Sequence, residues 1–210
     1  MTHRVLRIGI TGPIGCGKST VSNWLAEQPH VTIIDADLVA RDVLAPGTLE
    51  VEAVYARFGE DLRAADGVLD RAALGRMVFA DAAALIELEA IVHPAVRPRI
   101  LHAIADAEVG GAGVVVIEAI KLVEGGLAAL CDEVWLVTCA PEVQLERLIG
   151  RGSEPGDARA RVAAQGSIRE RLSGAATRII DTSGAIEATH ARVVGLLDEA
   201  LAGHGAARST

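Results

Sequence analysis

Short apolar runs punctuate the chain at Val5–Ile10, Val31–Ile34, Val114–Ile117 and Val134–Cys139, with a minimal fifth at Ile179–Ile180. Val114–Ile117 is four aliphatic residues in succession, as a strand covered on both faces requires. Between the runs the spacing is helical: Lys18–Glu27, a segment opened by Pro141, and Ala185–Leu201. A long, mostly helical stretch from Leu38 to Glu108 is broken by Pro46-Gly47, Asp66-Gly67 and His93-Pro94. Strands alternating with helices predict right-handed crossovers and a five-stranded parallel sheet in a three-layer α/β/α domain. The core is expected over about residues 5–37, 112–150 and 176–202, with a helical insert over about 38–111 and a short lid over about 151–171. The small, polar tail from Gly203 is expected to fray.

Composition narrows the class. Half of the 210 residues are hydrophobic, but aromatics number only two Trp, two Phe and one Tyr, so aliphatic side chains must build the core. The net charge of −8 argues against a nucleic-acid partner, which calls for a broad basic face. No apolar run nears the ~20 residues that cross a bilayer, and Met-Thr-His-Arg runs directly into a strand, so a cytoplasmic protein with no membrane partner is expected. Cys16, Cys131 and Cys139 are an odd count without metal-ligand spacing and read as reduced thiols.

The chemistry-bearing segment is Gly12-Pro13-Ile14-Gly15-Cys16-Gly17-Lys18-Ser19, a complete G-x-x-x-x-G-K-[ST] between a strand and a helix. Glycines let consecutive backbone N–H groups converge on phosphate oxygens, and the helix adds its positive end. Lys18 is placed for the β- and γ-phosphates of a nucleotide and the Ser19 hydroxyl for Mg²⁺. Asp35-Ala36-Asp37 follows the second strand, where ligands gather in open α/β sheets. Extended backbone would put Asp35 and Asp37 on one side, with Arg41 a helical turn beyond Asp37. Asp37 reads either as a helix cap or as the carboxylate that a kinase holds beside an acceptor hydroxyl; the cradle favours the second. From Arg147 to Arg178 seven arginines face three acids, and glycines at 150, 152 and 156 make the segment hinge-like. Such a segment suits a lid carrying arginine to a transferring phosphoryl group, with Arg147 and Arg151 on one helix face as the ligands and several of the seven on a solvated face.

In order along the chain, Ile10–Thr20, Ile34-Asp35-Ala36-Asp37, Arg41, Pro46-Gly47, Ala65-Asp66-Gly67, Asp70-Arg71, His93-Pro94, Arg147 with Arg151, Ala163-Ala164-Gln165 and Ile180-Asp181 resemble dephospho-CoA kinases. The resemblance runs from about residue 7 to 190 and implies a P-loop kinase that moves the ATP γ-phosphoryl to the 3′-hydroxyl of dephospho-CoA. It implies ATP binding by Gly12, Gly15, Cys16, Gly17, Lys18, Ser19, Thr20 and Arg151, with Ser19 on Mg²⁺. Lys18, Asp37 and Arg147 would be catalytic; Asp37, Arg41 and His93 would hold the acceptor, and the helical insert would be the acceptor-binding region. Three departures stand out. Pro13 replaces a usual glycine and lacks an N–H. Glu118–Glu124 reads Glu-Ala-Ile-Lys-Leu-Val-Glu where Asp-x-Pro-Leu-Leu-aromatic-Glu is usual, and Asp181-Thr182 replaces Asp-Asn. The alternatives are a P-loop kinase for a nucleoside, nucleotide or shikimate, and a non-catalytic nucleotide-binding homologue. A guanine-specific switch is disfavoured, because N-K-x-D is missing.

Overall fold

The structure is a computed structural model that describes residues 4–165 and 168–206; part of the expected lid, residues 166–167, and the end of the tail lie outside them, as does the Arg169 side chain. Two compact units form, one from the chain up to Ile34 and from Asp106 onward, the other from Asp35–Ala105.

The first unit holds the five-stranded parallel sheet: β1 (Leu6–Thr11), β2 (Val31–Asp35, whose last residue opens the second unit), β3 (Val114–Glu118), β4 (Glu133–Thr138) and β5 (Arg178–Asp181), in the order β2-β3-β1-β4-β5. β1 is therefore central, with Ile8 in register with Val116 and Ile10 with Trp135. Leu6, Ile8, Ile10, Val116, Trp135, Val137 and Ile180 pack with Val21 and Leu25 of α1 (Lys18–Ala26) and with Val193, Leu196, Leu197 and Ala200 of the last helix (Ile186–Ala206). On the opposite face of β1, Leu122 and the Cys131 sulfur crowd Gly9, and Arg7 donates to Glu108 at 3.2 Å. Side chains that alternate along β1 thus reach two different layers, so both faces of the strand are covered. Among the described residues no helix is long and apolar enough to cross a membrane.

The second unit is helical: α2 (Ala36–Val43), α3 (Leu49–Phe58), α4 (Arg71–Ala80) and most of α5 (Ala82–Val109). Asp35, Thr48 and Asp70 cap the first three by accepting backbone N–H bonds. His93-Pro94 does not interrupt α5, contrary to expectation; Pro94 and Pro98 both sit inside it. Each proline removes one i→i−4 bond, but Val92, Val96, Ile100 and Ile104 form a buried stripe every fourth residue, and that packing carries the helix across.

After β4 come α6 (Pro141–Gly150), opened by Pro141 as expected, then α7 (Pro155–Ala164) and α8 (Ile168–Ser173) in the lid segment. The last helix, α9, continues to Ala206, so residues 203–206 of the expected tail are helical. Arg178 is no lid ligand: it bonds Glu133 at 2.6 Å and Glu199 at 2.6 Å, tying β4 and β5 to α9.

Candidate active site

The central strand delivers its loop at the carboxyl edge of the sheet, between its two neighbouring strands. Gly12 is obligatory there: at φ +149°, a Cβ would lie 2.0 Å from the Val137 carbonyl oxygen. Gly17 takes a left-handed conformation, φ 87°, immediately before α1. Lys18 opens that helix almost buried, its Nζ donating to the carbonyls of Gly12 at 2.9 Å and Pro13 at 3.1 Å. The ammonium thus sits inside the loop, where anionic oxygens would replace two neutral acceptors with stronger ones. Pro13 forfeits a donor, yet its carbonyl receives Lys18 and the Cys16 N–H (3.4 Å).

Three neighbours hold the loop. Gln144 of α6 donates its side-chain amide to the Ile14 carbonyl at 2.6 Å, and Gln165, just after α7, accepts the Ile14 N–H at 2.8 Å. Thr182, after β5, donates its hydroxyl to the Cys16 carbonyl at 2.9 Å. Ser19, exposed in the first turn of α1, donates to Glu118 Oε1 at 2.8 Å. Glu118 ends β3, the neighbour of β1, so two oxygen donors stand side by side next to the cradle.

Cys16 is buried within the loop. Cys139, following β4, donates its S–H to the Cys16 sulfur at 3.0 Å. That bond, with Lys18 and Arg147 nearby, draws the Cys16 thiol from 9.0 down to about 7 against the effect of burial, while Cys139, as the donor, is pushed up. In Cys131 burial dominates: the thiol is pushed up to about 12, with Asp132 adding to the effect and Arg7 opposing it.

Arg147 is half-buried and forks onto Thr182, Nη1 to the hydroxyl at 2.8 Å and Nη2 to the carbonyl at 2.7 Å. Arg147 and Arg151 line one pocket with Gly17, Thr20, Trp24 and Thr182. Helical spacing therefore brings both arginines to the pocket, Arg147 half-buried and Arg151 exposed, as Arg159, Arg161 and Arg171 also are.

In the second unit, Asp37 and Arg41 are exposed on α2 and His93 is exposed on α5. The chain does not stay extended past Asp35, so the expected side-by-side placement of Asp35 and Asp37 fails. Asp35 is the cap of α2, its Oδ1 accepting from Asp37 N at 2.9 Å and Leu38 N at 3.0 Å, and Asp37 falls within the first turn.

A family model described as dephospho-CoA kinase matches residues 6–188, nearly the whole chain. The chain belongs to the dephospho-CoA kinase family. The dephospho-CoA kinase of Symbiobacterium thermophilum is 44% identical over 199 residues, 94% of this chain and 82% of that protein. That of Streptomyces avermitilis is 46% identical over 192 residues, covering 90% and 91%. The solved dephospho-CoA kinase from Campylobacter jejuni superposes with a TM-score of 0.71 at 26% identity, covering 94% of this chain and 98% of that one. Within this P-loop kinase family frame, sequence reading missed Gln144 and Trp24 and treated Glu118 and Thr182 only as parts of departures. Glu118 had a usable signal: an acid at the carboxyl end of an apolar run that can lie beside the loop-bearing strand. The partners of Gln144 and Thr182 lie 130 or more residues away for the loop contacts, which no local pattern exposes.

Proposed function

We propose that the chain catalyses transfer of the ATP γ-phosphoryl to the 3′-hydroxyl of dephospho-CoA, giving CoA and ADP. The observation that carries this is the complete phosphate loop, with Lys18 buried in it, in a chain that matches one kinase family from residue 6 to 188. Lys18 exchanges the Gly12 and Pro13 carbonyls for β- and γ-phosphate oxygens and stays with the charge as it moves to the leaving oxygen. Backbone N–H groups of the loop and the first turn of α1 bind the remaining phosphate oxygens. Arg147 faces the transferring group; Arg151, Thr20 and Gly17 line the nucleotide pocket. Asp37 orients the acceptor hydroxyl and takes up its proton, with Arg41 and His93 binding the acceptor's anionic parts; the helical region that carries them is the acceptor-binding portion of the chain. Family resemblance supports those three residues, and the cap of α2 is supplied by Asp35.

Mg²⁺ suits the oxygen pair Ser19 and Glu118, because it takes few protein ligands and prefers hard oxygen donors. When bound there it would neutralise charge on the β- and γ-phosphate oxygens. The test is ADP release from MgATP with a panel of acceptors. Turnover should depend on dephospho-CoA and exceed that with AMP, adenosine or shikimate; equal turnover with AMP would defeat the acceptor assignment while sparing the phosphate loop.

A further inference from the structure

Thr182 is a buried polar residue at which three separate parts of the site meet. Its N–H donates to the Thr138 carbonyl at the end of β4, 2.8 Å, which fixes its backbone to the sheet. Its hydroxyl donates to the Cys16 carbonyl of the phosphate loop at 2.9 Å, with the Thr138 carbonyl farther off at 3.3 Å. A hydroxyl has one proton and two lone pairs, so this donation turns its lone pairs toward Arg147, whose Nη1 donates back at 2.8 Å. The Thr182 carbonyl receives Nη2 at 2.7 Å, completing a two-pronged hold on the guanidinium. The loop backbone also closes on this junction: a Cβ on Gly17 would lie 3.6 Å from both Arg147 Nη1 and Thr182 Oγ1.

We infer that Thr182 is a positioning residue for phosphoryl transfer, bracketing Arg147 to the Cys16–Gly17 end of the phosphate loop so that the guanidinium is aimed before ATP arrives. The inference rests on the assignment of Arg147 to the transferring phosphoryl. The bracket uses two of the five guanidinium N–H bonds and leaves three for phosphate oxygens. It also removes the rotamer freedom that a long, exposed arginine would lose on binding, so the cost of ordering is met in folding and not during turnover. Because the hydroxyl bonds loop and arginine together, a displacement of the loop is passed to the guanidinium through a single atom.

The test compares kcat and KM in the full-length protein with MgATP and dephospho-CoA. Thr182→Val keeps the branched shape and deletes the hydroxyl. It should lower kcat by ~10- to 10²-fold, the scale of a lost hydrogen bond to a charged group, with KM for dephospho-CoA little changed. Thr182→Ser, which retains the hydroxyl, and Thr182→Asn, whose amide offers a donor and an acceptor, should both restore most of kcat. In an Arg147→Ala background, Thr182→Val should cause no further loss, because there is nothing left to position. Equal and additive losses in that background would show a purely structural role and overturn the proposal. So would a Thr182→Ser enzyme as slow as Thr182→Val. If Thr182→Val does not fold, the Ser and Asn variants and their Arg147→Ala doubles decide the matter. A silent Thr182→Val beside an impaired Arg147→Ala would sink the bracket alone. A silent Arg147→Ala would remove the assignment of Arg147 and the bracket with it.

Discussion

Replacing Asp37 by Asn should separate chemistry from scaffolding, and the structure supplies both sides of the comparison. Asp35, not Asp37, accepts the Asp37 and Leu38 N–H groups at the start of α2, so Asp37→Asn leaves the cap intact. What it removes from the fold is a negative charge in the first turn, worth ~0.3–1 kcal/mol against the helix dipole. On the proposed mechanism it also removes the carboxylate that receives the acceptor proton, and kcat should then fall by ~10²–10⁴-fold. Asp35→Ala is the mirror experiment. It deletes the cap at a cost of about 1 kcal/mol, which for a chain of this size lowers the melting temperature by ~2–4 °C, while a far larger share of kcat survives. Coupled ADP release and thermal melts on the two variants, at saturating MgATP, give the four numbers needed. An Asp37→Asn enzyme with kcat within a few-fold of wild type would refute the assignment, and a collapse of kcat confined to Asp35→Ala would move the base to that residue.

Lys18→Ala should lower kcat by ~10²–10³-fold, because the charge that follows the γ-phosphoryl is lost; near-normal turnover in steady-state assays would contradict the cradle mechanism. The Cys16 thiolate should appear as pH rises through about 7, read as a step in thiolate ultraviolet absorbance. Deleting the donor with Cys139→Ala should shift that step upward, and bound ATP should shift it upward too by setting negative phosphates beside the sulfur. A step unmoved by Cys139→Ala would show that the thiol–thiol hydrogen bond is not what lowers it.

The parts legible in the sequence are those whose signal is local. Gly12 to Ser19 carry the phosphate loop within eight positions, and aliphatic runs such as Val114–Ile117 need only neighbours to be read as strands. His93-Pro94 misled because a local rule was set against packing. The stripe Val92, Val96, Ile100 and Ile104 was present in the same residues and, weighed against the prolines, points to one continuous helix. Asp35 and Asp37 were separable only by where the helix starts, a choice of one or two residues that propensity does not resolve. The Ser19–Glu118 and Thr182–Cys16 contacts join residues 99 and 166 positions apart. Such contacts follow from strand order, which puts β3 beside β1 and β5 beside β4, and not from any pattern within a segment.

The poverty of aromatic residues has a practical consequence for optical work. The two tryptophans of the chain occupy different environments: Trp135 is sealed in β4 with its indole N–H on Glu133 at 2.6 Å, and Trp24 lines the pocket beside Arg147 and Arg151, edge-on to the His190 ring at 5.2 Å. With a single tyrosine as background, intrinsic fluorescence divides into one emitter that reports the integrity of the sheet and one that reports occupancy of the pocket it lines. Trp135→Phe would leave Trp24 as the sole indole, turning unlabelled protein into its own titration probe for ligands entering beside α1.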